Sequence, residues 1–405
     1  MEMPHKRTLY IIRKKLFRYC NPFENVLLSF GVKRMILQRI KKIVKQNIVL
    51  TIATLAAVIT CFLVPPDTGY LDYFDMNTLT CLLLTLAVIV CLKRIRFFTI
   101  LARRIVLMTG SLRKLALALI YITFIGSMII ANDMALITFL PLGYFALKAT
   151  NNERYMAYVF ILQNIAANLG GMLTPFGNPQ NLFLYSYFKI PTGEFTLIML
   201  PPFLLSVAML TAGCLLMKKQ TLKIDTELSP TLPKWRTAIY ITLFALSILI
   251  VFRVIPYWLG LLIILPAVFI MDKGAYKQVS WDLLLTFVMF FIFSGNLSRL
   301  PAVSNFFSGL LEQSTLLTST LSCQCISNVP TAILLSRFTE NYRELLLGVN
   351  IGGSGTIIAS LASLITFSEF KMLYPDKTGK YFALFTLINL IFLGVLTVFC
   401  YFVLI

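Results

Sequence analysis

Histidine is almost missing from this chain of 405 residues, which carries a single one, at position 5. The eight cysteines lie mostly inside apolar segments and lack the paired spacing of a zinc site. Proteins that use histidine as a general base, or that hold a transition metal through imidazole and thiolate, are therefore disfavoured. We expect a protein that is not an enzyme and that contains no cofactor.

Charge is also scarce, and acidic charge most of all. Asp and Glu number 17 against 36 Lys and Arg, and charged residues make up 13% of the chain whereas hydrophobic residues make up 58%. A water-soluble core could not hide so much apolar surface, so the composition predicts an all-α polytopic membrane protein. We assign the net charge of +19 to surfaces beside the anionic headgroups of a lipid bilayer and expect no nucleic-acid partner.

Apolar runs near the roughly 20 residues that a bilayer requires predict about nine full crossings. Residues 1–45, with twelve Lys or Arg against two Glu, are interpreted as a basic cytoplasmic segment. We place a first transmembrane repeat at 46–217, a cytoplasmic linker at 218–236, and an additional crossing with a second repeat at 237–405. With a cytoplasmic N-terminus, 31 of the 36 Lys and Arg face the cytoplasm, as the positive-inside rule requires. We therefore expect a multi-pass protein of the cell membrane.

Two apolar runs are interrupted by stretches that an ordinary membrane helix would not contain. They read NLGGMLTPFGNPQNLF at Asn168–Phe183 and NIGGSGTIIASLASLI at Asn350–Ile365. The prolines of the first stretch remove backbone donors, and its glycines permit backbone conformations with positive φ. Such irregular backbone survives in a membrane only where it is buried in protein or lines a wet cavity. Each stretch therefore predicts an unwound transmembrane helix at a binding site.

Two further apolar stretches carry polar tips, Ala131-Asn132-Asp133 and Ser327-Asn328-Val329. We interpret both as re-entrant hairpins, the first entering from the cytoplasm because basic residues flank it, the second from outside. Each half then reads crossing, crossing, hairpin, unwound helix, crossing, in opposite orientation. This order predicts an inverted-topology repeat, in which substrate and ions bind where the unwound helices meet.

The candidate substrate- and ion-binding residues are the amides, hydroxyls and glycines of the two tips and two breaks. Carboxamide and backbone oxygens suit sodium, and helix N-termini attract anions. Possible sodium sites lie at Asn132, Asp133 and Asn168, and at Asn328 and Asn350. The full set comprises Asn132, Asp133, Asn168, Gly170, Gly171, Thr174, Asn178, Asn181, Ser327, Asn328, Asn350, Gly352, Gly353, Ser354 and Thr356.

Asp133 is the candidate with the strongest chemical constraint. A carboxylate deep in a bilayer is paired, protonated or bound to a cation, and no Lys or Arg lies near it in the sequence. Either Asp133 lies at the water interface, or it binds or relays a coupling cation.

The segments ANDMALITFLPL, NLGGMLTPFGNPQNLFLYS, SNVPTAILLS and NIGGSGTIIASLASLI resemble the ion transporter superfamily. The resemblance is to its citrate-transporter and divalent-anion/sodium symporter branch, with arsenite permeases and sodium/proton antiporters as more distant relatives. It implies a homodimer that binds carboxylates and sodium between two hairpin tips and two unwound helices. Tips of that family read Ser-Asn-Thr, whereas the first tip here is acidic, which favours a cation site or proton coupling at Asp133.

The leading hypothesis is a secondary active transporter for a small anion, such as citrate or a dicarboxylate, coupled to sodium or proton. The alternatives within transport are a sodium/proton antiporter, in which Asp133 exchanges the two cations, and an arsenite-type efflux permease. An intramembrane enzyme is a further alternative that the shortage of histidine disfavours.

Overall fold

The structure, a computed structural model, describes residues 47–222 and 231–405. The basic segment predicted at 1–45 lies outside these ranges, as does the middle of the predicted linker. Within the described ranges the regular structure is entirely helical, without a named β-strand. This confirms the prediction of an all-α protein.

The first part of the chain forms eight α-helices that are joined by short turns. They are α1 (Ile48–Leu63), α2 (Met76–Arg94), α3 (Phe97–Leu107), α4 (Leu112–Ile130), α5 (Asn132–Ala149), α6 (Met156–Gly170), α7 (Pro179–Tyr187) and α8 (Thr192–Leu215). Helices α4 and α5 form a hairpin, and α6 and α7 are the two halves of one interrupted helix.

The second part of the described chain forms nine α-helices. They are α9 (Lys234–Val251), α10 (Tyr257–Met271), α11 (Trp281–Ser298), α12 (Pro301–Gln313), α13 (Thr315–Ile326), α14 (Asn328–Leu335), α15 (Tyr342–Ile351), α16 (Leu361–Leu373) and α17 (Thr378–Phe399). The order of α10 to α17 matches that of α1 to α8, with α13 and α14 as the hairpin and α15 and α16 as the interrupted helix. Helix α9 precedes this second series, where the sequence predicts an additional crossing.

Local capping explains where the hairpins begin. The hydroxyl of Ser111 accepts a hydrogen bond from the N–H of Lys114 at the start of α4, and Ser314 accepts one from Leu317 at the start of α13. Each serine satisfies a backbone donor that the first turn of a helix leaves unpaired. The first helix of each hairpin therefore starts with a serine N-cap.

Seven helical segments within the described ranges are long and apolar enough to cross a membrane, judged by length and composition. Helices α1 and α10 are apolar but shorter. A multi-pass membrane protein is thereby confirmed, whereas the number of about nine crossings stays a prediction.

The second hairpin opens at one end of the molecule, which we call the Arg299 end. There the guanidinium of Arg299 lies 2.6 Å from a carboxylate oxygen of Asp67, and this hydrogen bond lowers the pKa of Asp67. Arg337, just after α14, donates to the backbone carbonyl of Tyr73 at 2.7 Å, in the same loop region. Both contacts join segments that the sequence places outside the membrane on one side.

The first hairpin opens at the opposite end. Helix α8 starts at the Arg299 end, where Tyr342 donates to Glu194 at 2.7 Å. Its 24 residues extend about 36 Å, after which the carbonyl of Met217 accepts a bond from Arg113 at the start of α4, at 3.0 Å. The two hairpins therefore enter from opposite ends, an arrangement that fits the predicted inverted repeat.

The interrupted helices occupy the interior, and α9, α10 and α17 lie at the periphery. Every residue of α6 from Val159 to Gly170 is buried, whereas α10 buries only three, Gly260, Ile264 and Val268. A helix that is apolar on all sides yet exposed in the isolated chain faces lipid. The breaks are thus held at the centre of the protein, away from the bilayer.

Candidate functional site

The two hairpin tips share one unusual backbone conformation. Ala131 has φ 63° and ψ 149°, and Ser327 has φ 74° and ψ 158°. This region is nearly exclusive to glycine and costs about 1–3 kcal/mol for other residues. The next residue, Asn132 or Asn328, begins the returning helix, and its Oδ1 accepts the following backbone N–H at 2.9 Å. Strained residues of this kind persist where the surrounding structure fixes them, commonly at functional sites.

Both predicted helix breaks are present. Helix α6 ends at Gly170, a 3₁₀ turn follows at Gly171–Leu173, and α7 begins at Pro179. Proline suits this first helical position because no intrahelical bond is required of its nitrogen. In the second break, α15 ends at Ile351 and α16 begins after a 3₁₀ turn at Ile357–Ala359.

Gly170, Gly171 and Gly177 do not use the positive φ that glycine permits, because no glycine of the described chain has positive φ. These glycines instead allow close approach of backbones. A Cβ on Gly170 would lie 2.2 Å from the carbonyl oxygen of Phe124 in α4, and one on Gly171 would lie 2.3 Å from Oδ1 of Asn178. A Cβ on Gly177 would likewise lie 2.4 Å from the carbonyl oxygen of Gly171. The first break is therefore folded tightly on itself and against the first hairpin.

One hydrogen bond occurs at equivalent positions in the two halves. Thr174, six residues after Asn168, donates to the carbonyl of Met128 at 2.8 Å, and Thr356, six residues after Asn350, donates to that of Gln324 at 3.2 Å. Met128 and Gln324 each lie three residues before the first residue of their tip. Each break is thus fastened to the hairpin of its own half by the same bond, which supports an internal repeat.

Five buried asparagines form one connected network across the two halves. Nδ2 of Asn132 donates to Oδ1 of Asn168 at 3.2 Å, and Nδ2 of Asn178 donates to the carbonyl of Asn168 at 3.1 Å and to Oδ1 of Asn350 at 3.3 Å. Nδ2 of Asn350 in turn donates to Oδ1 of Asn181 at 2.6 Å. None of the five is more than 3% exposed. The first tip and both breaks therefore lie together, as predicted for the segments that carry these asparagines.

The second tip reaches the same place. A Cβ on Gly353 would lie 3.0 Å from Nδ2 of Asn328 and 3.8 Å from Oδ1 of Asn168. The hydroxyl of Ser327 donates to the carbonyl of Ala359 in the second break at 3.3 Å. Gly352 packs its backbone against Cys323 of α13, as Gly170 does against α4. All four predicted segments are thereby brought together.

Several polar atoms of the tips and breaks are buried without a hydrogen-bond partner in residues 47–222 and 231–405. They are Oδ1 of Asp133, Nδ2 of Asn168, Oδ1 of Asn178 and the hydroxyl of Ser354. An unpaired buried polar atom costs about 1–3 kcal/mol, so each calls for an explanation. Three of the atoms can offer oxygen to a cation, and the amide nitrogen can donate to an anion. The tips and breaks thus contain both kinds of polar atom, oxygen for a cation and N–H for an anion.

Asp133 forms no ion pair with any Lys or Arg of the described ranges. A carboxylate that is buried in a membrane protein without a basic partner is usually protonated or bound to a cation.

Sequence reasoning missed a second polar cluster beside the network. Nδ2 of Asn164 donates to the hydroxyl of Ser363 at 3.3 Å and to Oδ1 of Asn389 at 3.4 Å, and its Oδ1 accepts from Thr366 at 3.4 Å. This cluster ties α6 to α16 and α17, so it holds the broken helices in place. The available signal was the position of Asn164, one helical turn before Asn168 on the same face.

Gln324 was missed as well. Its side chain donates to the carbonyl of Gly352 at 2.8 Å and accepts the backbone N–H of Thr356 at 2.9 Å. It therefore satisfies two backbone groups that the second break leaves unpaired. Nothing in its sequence neighbourhood distinguishes it from an ordinary polar residue near a hairpin tip.

Two opposed hairpins whose tips meet two interrupted helices, in a chain with several apolar helices, are the architecture of a membrane transporter. The family model described as "Citrate transporter" matches residues 35–341, and the chain belongs to that family. The matched region includes both tips and the first break and ends just before the second.

Two curated proteins resemble this chain. A protein of Methanocaldococcus jannaschii, described as an uncharacterized transporter, is 34% identical over 255 residues, which cover 63% of this chain and 70% of that protein. The inner membrane protein YbiR of Escherichia coli is 29% identical over 280 residues, 66% of this chain and 73% of its own length. The chain is thus a membrane transporter by family.

Proposed function

We propose that this protein is a secondary active transporter for a small anion, such as citrate or a dicarboxylate, driven by sodium or proton. The observation that carries the proposal is the asparagine network with its unpartnered buried atoms, where both tips and both breaks meet. Membership of the citrate transporter family supports the class of substrate. The resemblance of YbiR, described as an inner membrane protein, supports a cell-membrane location.

The anion is held by donors rather than by a basic side chain. No Lys or Arg belongs to the network in the described part of the chain. Nδ2 of Asn168 offers one donor, and the first turns of α5, α7, α14 and α16 offer backbone N–H groups with partial positive charge. A bound cation supplies the remaining positive field, so that anion and cation bind cooperatively.

The cation is held by oxygen atoms. Asp133 with the amide oxygens of Asn132 and Asn168 forms one proposed sodium site, and Asn328 with Asn350 forms the second. Hard oxygen ligands of this kind match an alkali cation, and a proton on Asp133 is the alternative coupling ion. The family resemblance supports a homodimer, and the distribution of basic residues supports a cytoplasmic N-terminus.

Transport into proteoliposomes tests this function. Labelled citrate, succinate and arsenite are offered separately, with an imposed sodium gradient, an imposed pH gradient, or none. We expect a carboxylate to accumulate only when one of the gradients is present. Arsenite movement without carboxylate movement would favour the arsenite-type permease, and failure of all three anions would contradict anion transport.

Sodium/proton antiport is the second candidate, because Asp133 is a carboxylate with a buried oxygen and forms no ion pair with a basic residue of the described chain. It predicts that a sodium gradient alone changes the internal pH of the proteoliposomes, which a trapped dye reports. Asp133→Asn should remove that change, whereas Asp376→Asn, an acidic residue outside the network, should preserve it. If the internal pH still changes with an imposed sodium gradient in both variants, Asp133 is excluded as the exchange site.

A further inference from the structure

A basic cleft lies at the end of the molecule opposite the Arg299 end. It has a volume of about 400 Å³ and lies between the last turn of α2, the first turn of α9 and the turn that follows α10. Its charged lining consists of Lys93, Arg94, Arg96, Arg236 and Asp272. We propose that this cleft binds the phosphate group of an anionic phospholipid headgroup.

The charge of the cleft favours an anion. Four lining side chains are cationic and one is anionic, so the net charge is +3. Asp272 is already engaged, since one of its oxygens lies 2.6 Å from Nε of Arg94 and the other accepts the backbone N–H of Gly274 at 3.1 Å. Its charge is therefore offset within the wall of the cleft, and Lys93, Arg96 and Arg236 can act on a ligand.

The wall is held in place before any ligand binds. A Cβ on Gly274 would lie 2.8 Å from a terminal nitrogen of Arg94, so glycine lets this guanidinium lie directly against the backbone. Arg96 has φ 58° and ψ 27°, a left-handed conformation that non-glycine residues disfavour. It turns the chain between α2 and α3 and places a second guanidinium on the cleft. A pre-formed set of cations loses less entropy when a ligand binds.

Lipid is favoured over a soluble anion by the helices that flank the cleft. Helices α9 and α10 expose large apolar side chains, among them Leu262 and Ile270 at 66% and 79%. Trp235 and Trp281 are also exposed near this end, and indole rings concentrate at the level of lipid headgroups. The guanidinium of Arg236 lies 5.4 Å from the centre of the Trp235 ring. Acyl chains can therefore lie along α9 and α10 while the phosphate occupies the cleft.

The cleft is separate from the proposed transport site. None of its lining residues belongs to the asparagine network, and α2, α9 and α10 contribute no member to that network. Lipid binding can consequently be measured without any assumption about the transported substrate.

The test compares lipid retention by the full-length purified protein. Native mass spectrometry follows titration of the delipidated protein with phosphatidylglycerol and, separately, with phosphatidylcholine. The wild type should bind phosphatidylglycerol at least about tenfold more tightly, since each basic residue near a headgroup contributes a few-fold. The double variant R96A/R236A should lose that preference.

The matched control is K377A/K380A, which removes two exposed lysines outside the cleft and should keep the preference. R96K/R236K preserves the charge and should also keep it, and if R96A/R236A does not fold, R96A and R236A are measured singly. An equal loss in the cleft variants and the control would overturn the proposal. Displacement of phosphatidylglycerol by equimolar inorganic phosphate would overturn the assignment to lipid, because it would identify a soluble anion site.

Discussion

The two hairpin tips have the same backbone and different chemistry. Each turns through a positive-φ residue and starts its returning helix with an asparagine that accepts the next backbone N–H. The third position, however, is Asp133 in the first tip and Val329 in the second. The hydroxyl of Ser327 is bonded within its own half, whereas Oδ1 of Asp133 has no hydrogen-bond partner among the described residues. The two tips thus share one backbone conformation, but only the first tip carries an ionisable side chain.

The largest expected effect comes from exchanging the third tip residue. Asp133→Asn should reduce gradient-driven uptake by about 10- to 100-fold, because the neutral amide lacks the charge that a bound cation requires, and interactions with a charged group contribute about 1.5–3 kcal/mol. Val329→Asn places the same amide at the equivalent position and should change uptake no more than a few-fold. Initial rates in proteoliposomes measure both variants. Equal losses would remove the difference between the tips on which the proposal depends.

Breaking the link between the halves should have the next largest effect. Asn350→Ala removes one of the two acceptors of Nδ2 of Asn178 and leaves Oδ1 of Asn181 without its donor. An orphaned buried group costs about 1–3 kcal/mol, so we expect uptake to be lost and thermal unfolding to begin several degrees lower. Asn305→Ala, on an exposed position of α12, serves as the control. Wild-type uptake by Asn350→Ala would show that the network is not part of the transport site.

Glycine substitutions sharpen the comparison of the two breaks. Gly170→Ala places a Cβ 2.2 Å from the carbonyl oxygen of Phe124, whereas Gly352→Ala places one 2.6 Å from the carbonyl oxygen of Gly348 and 2.9 Å from the Cys323 side chain. Overpacking costs about 1–3 kcal/mol, and the closer approach requires the larger displacement of the backbone. Gly170→Ala should therefore lower the melting temperature more than Gly352→Ala does. Gly394→Ala, which has open space in α17, should leave it unchanged or raise it, and the reverse order would contradict the packing argument.

The smallest effect is expected at the open end of the second hairpin, from Asp67 and Arg299. The pKa of Asp67 in the folded protein is below its ordinary value. The ion pair therefore stabilises the protein fully at any pH above the ordinary pKa. This stabilisation is lost as the pH falls through the lowered pKa. Both groups are exposed, which keeps the effect small. Asp67→Asn should therefore shift the melting temperature slightly near neutral pH and not at all in strong acid. A shift that grows on acidification would have the wrong sign.

The location of the site was predictable from sequence because its residue types conflict with a membrane helix. Asparagines, prolines and paired glycines in apolar runs predict breaks and tips, and the structure brings all four segments together. The backbone conformations were not predictable in the same way. Within the tips and breaks, positive φ occurs at Ala131 and Ser327 rather than at the glycines, which are instead needed for close contact with Phe124 and Asn178.

The hydrogen-bond partners within the site could not be predicted from one amino-acid sequence. Asn178 and Asn350 are separated by 172 positions, and Asn164 and Asn389 by 225. Sequence spacing indicates which residues share a helix face, but it does not indicate which helices of the two halves face each other. The asparagine network and its supporting cluster are therefore results of the tertiary fold.

The central claim is that Asp133 couples the cation to the anion. The most direct measurement compares two modes of transport by Asp133→Asn in the same proteoliposomes: exchange of labelled for unlabelled substrate, and accumulation against a gradient. We expect exchange to persist while accumulation no longer responds to sodium or pH. Gradient-driven accumulation at the wild-type level by Asp133→Asn would contradict it.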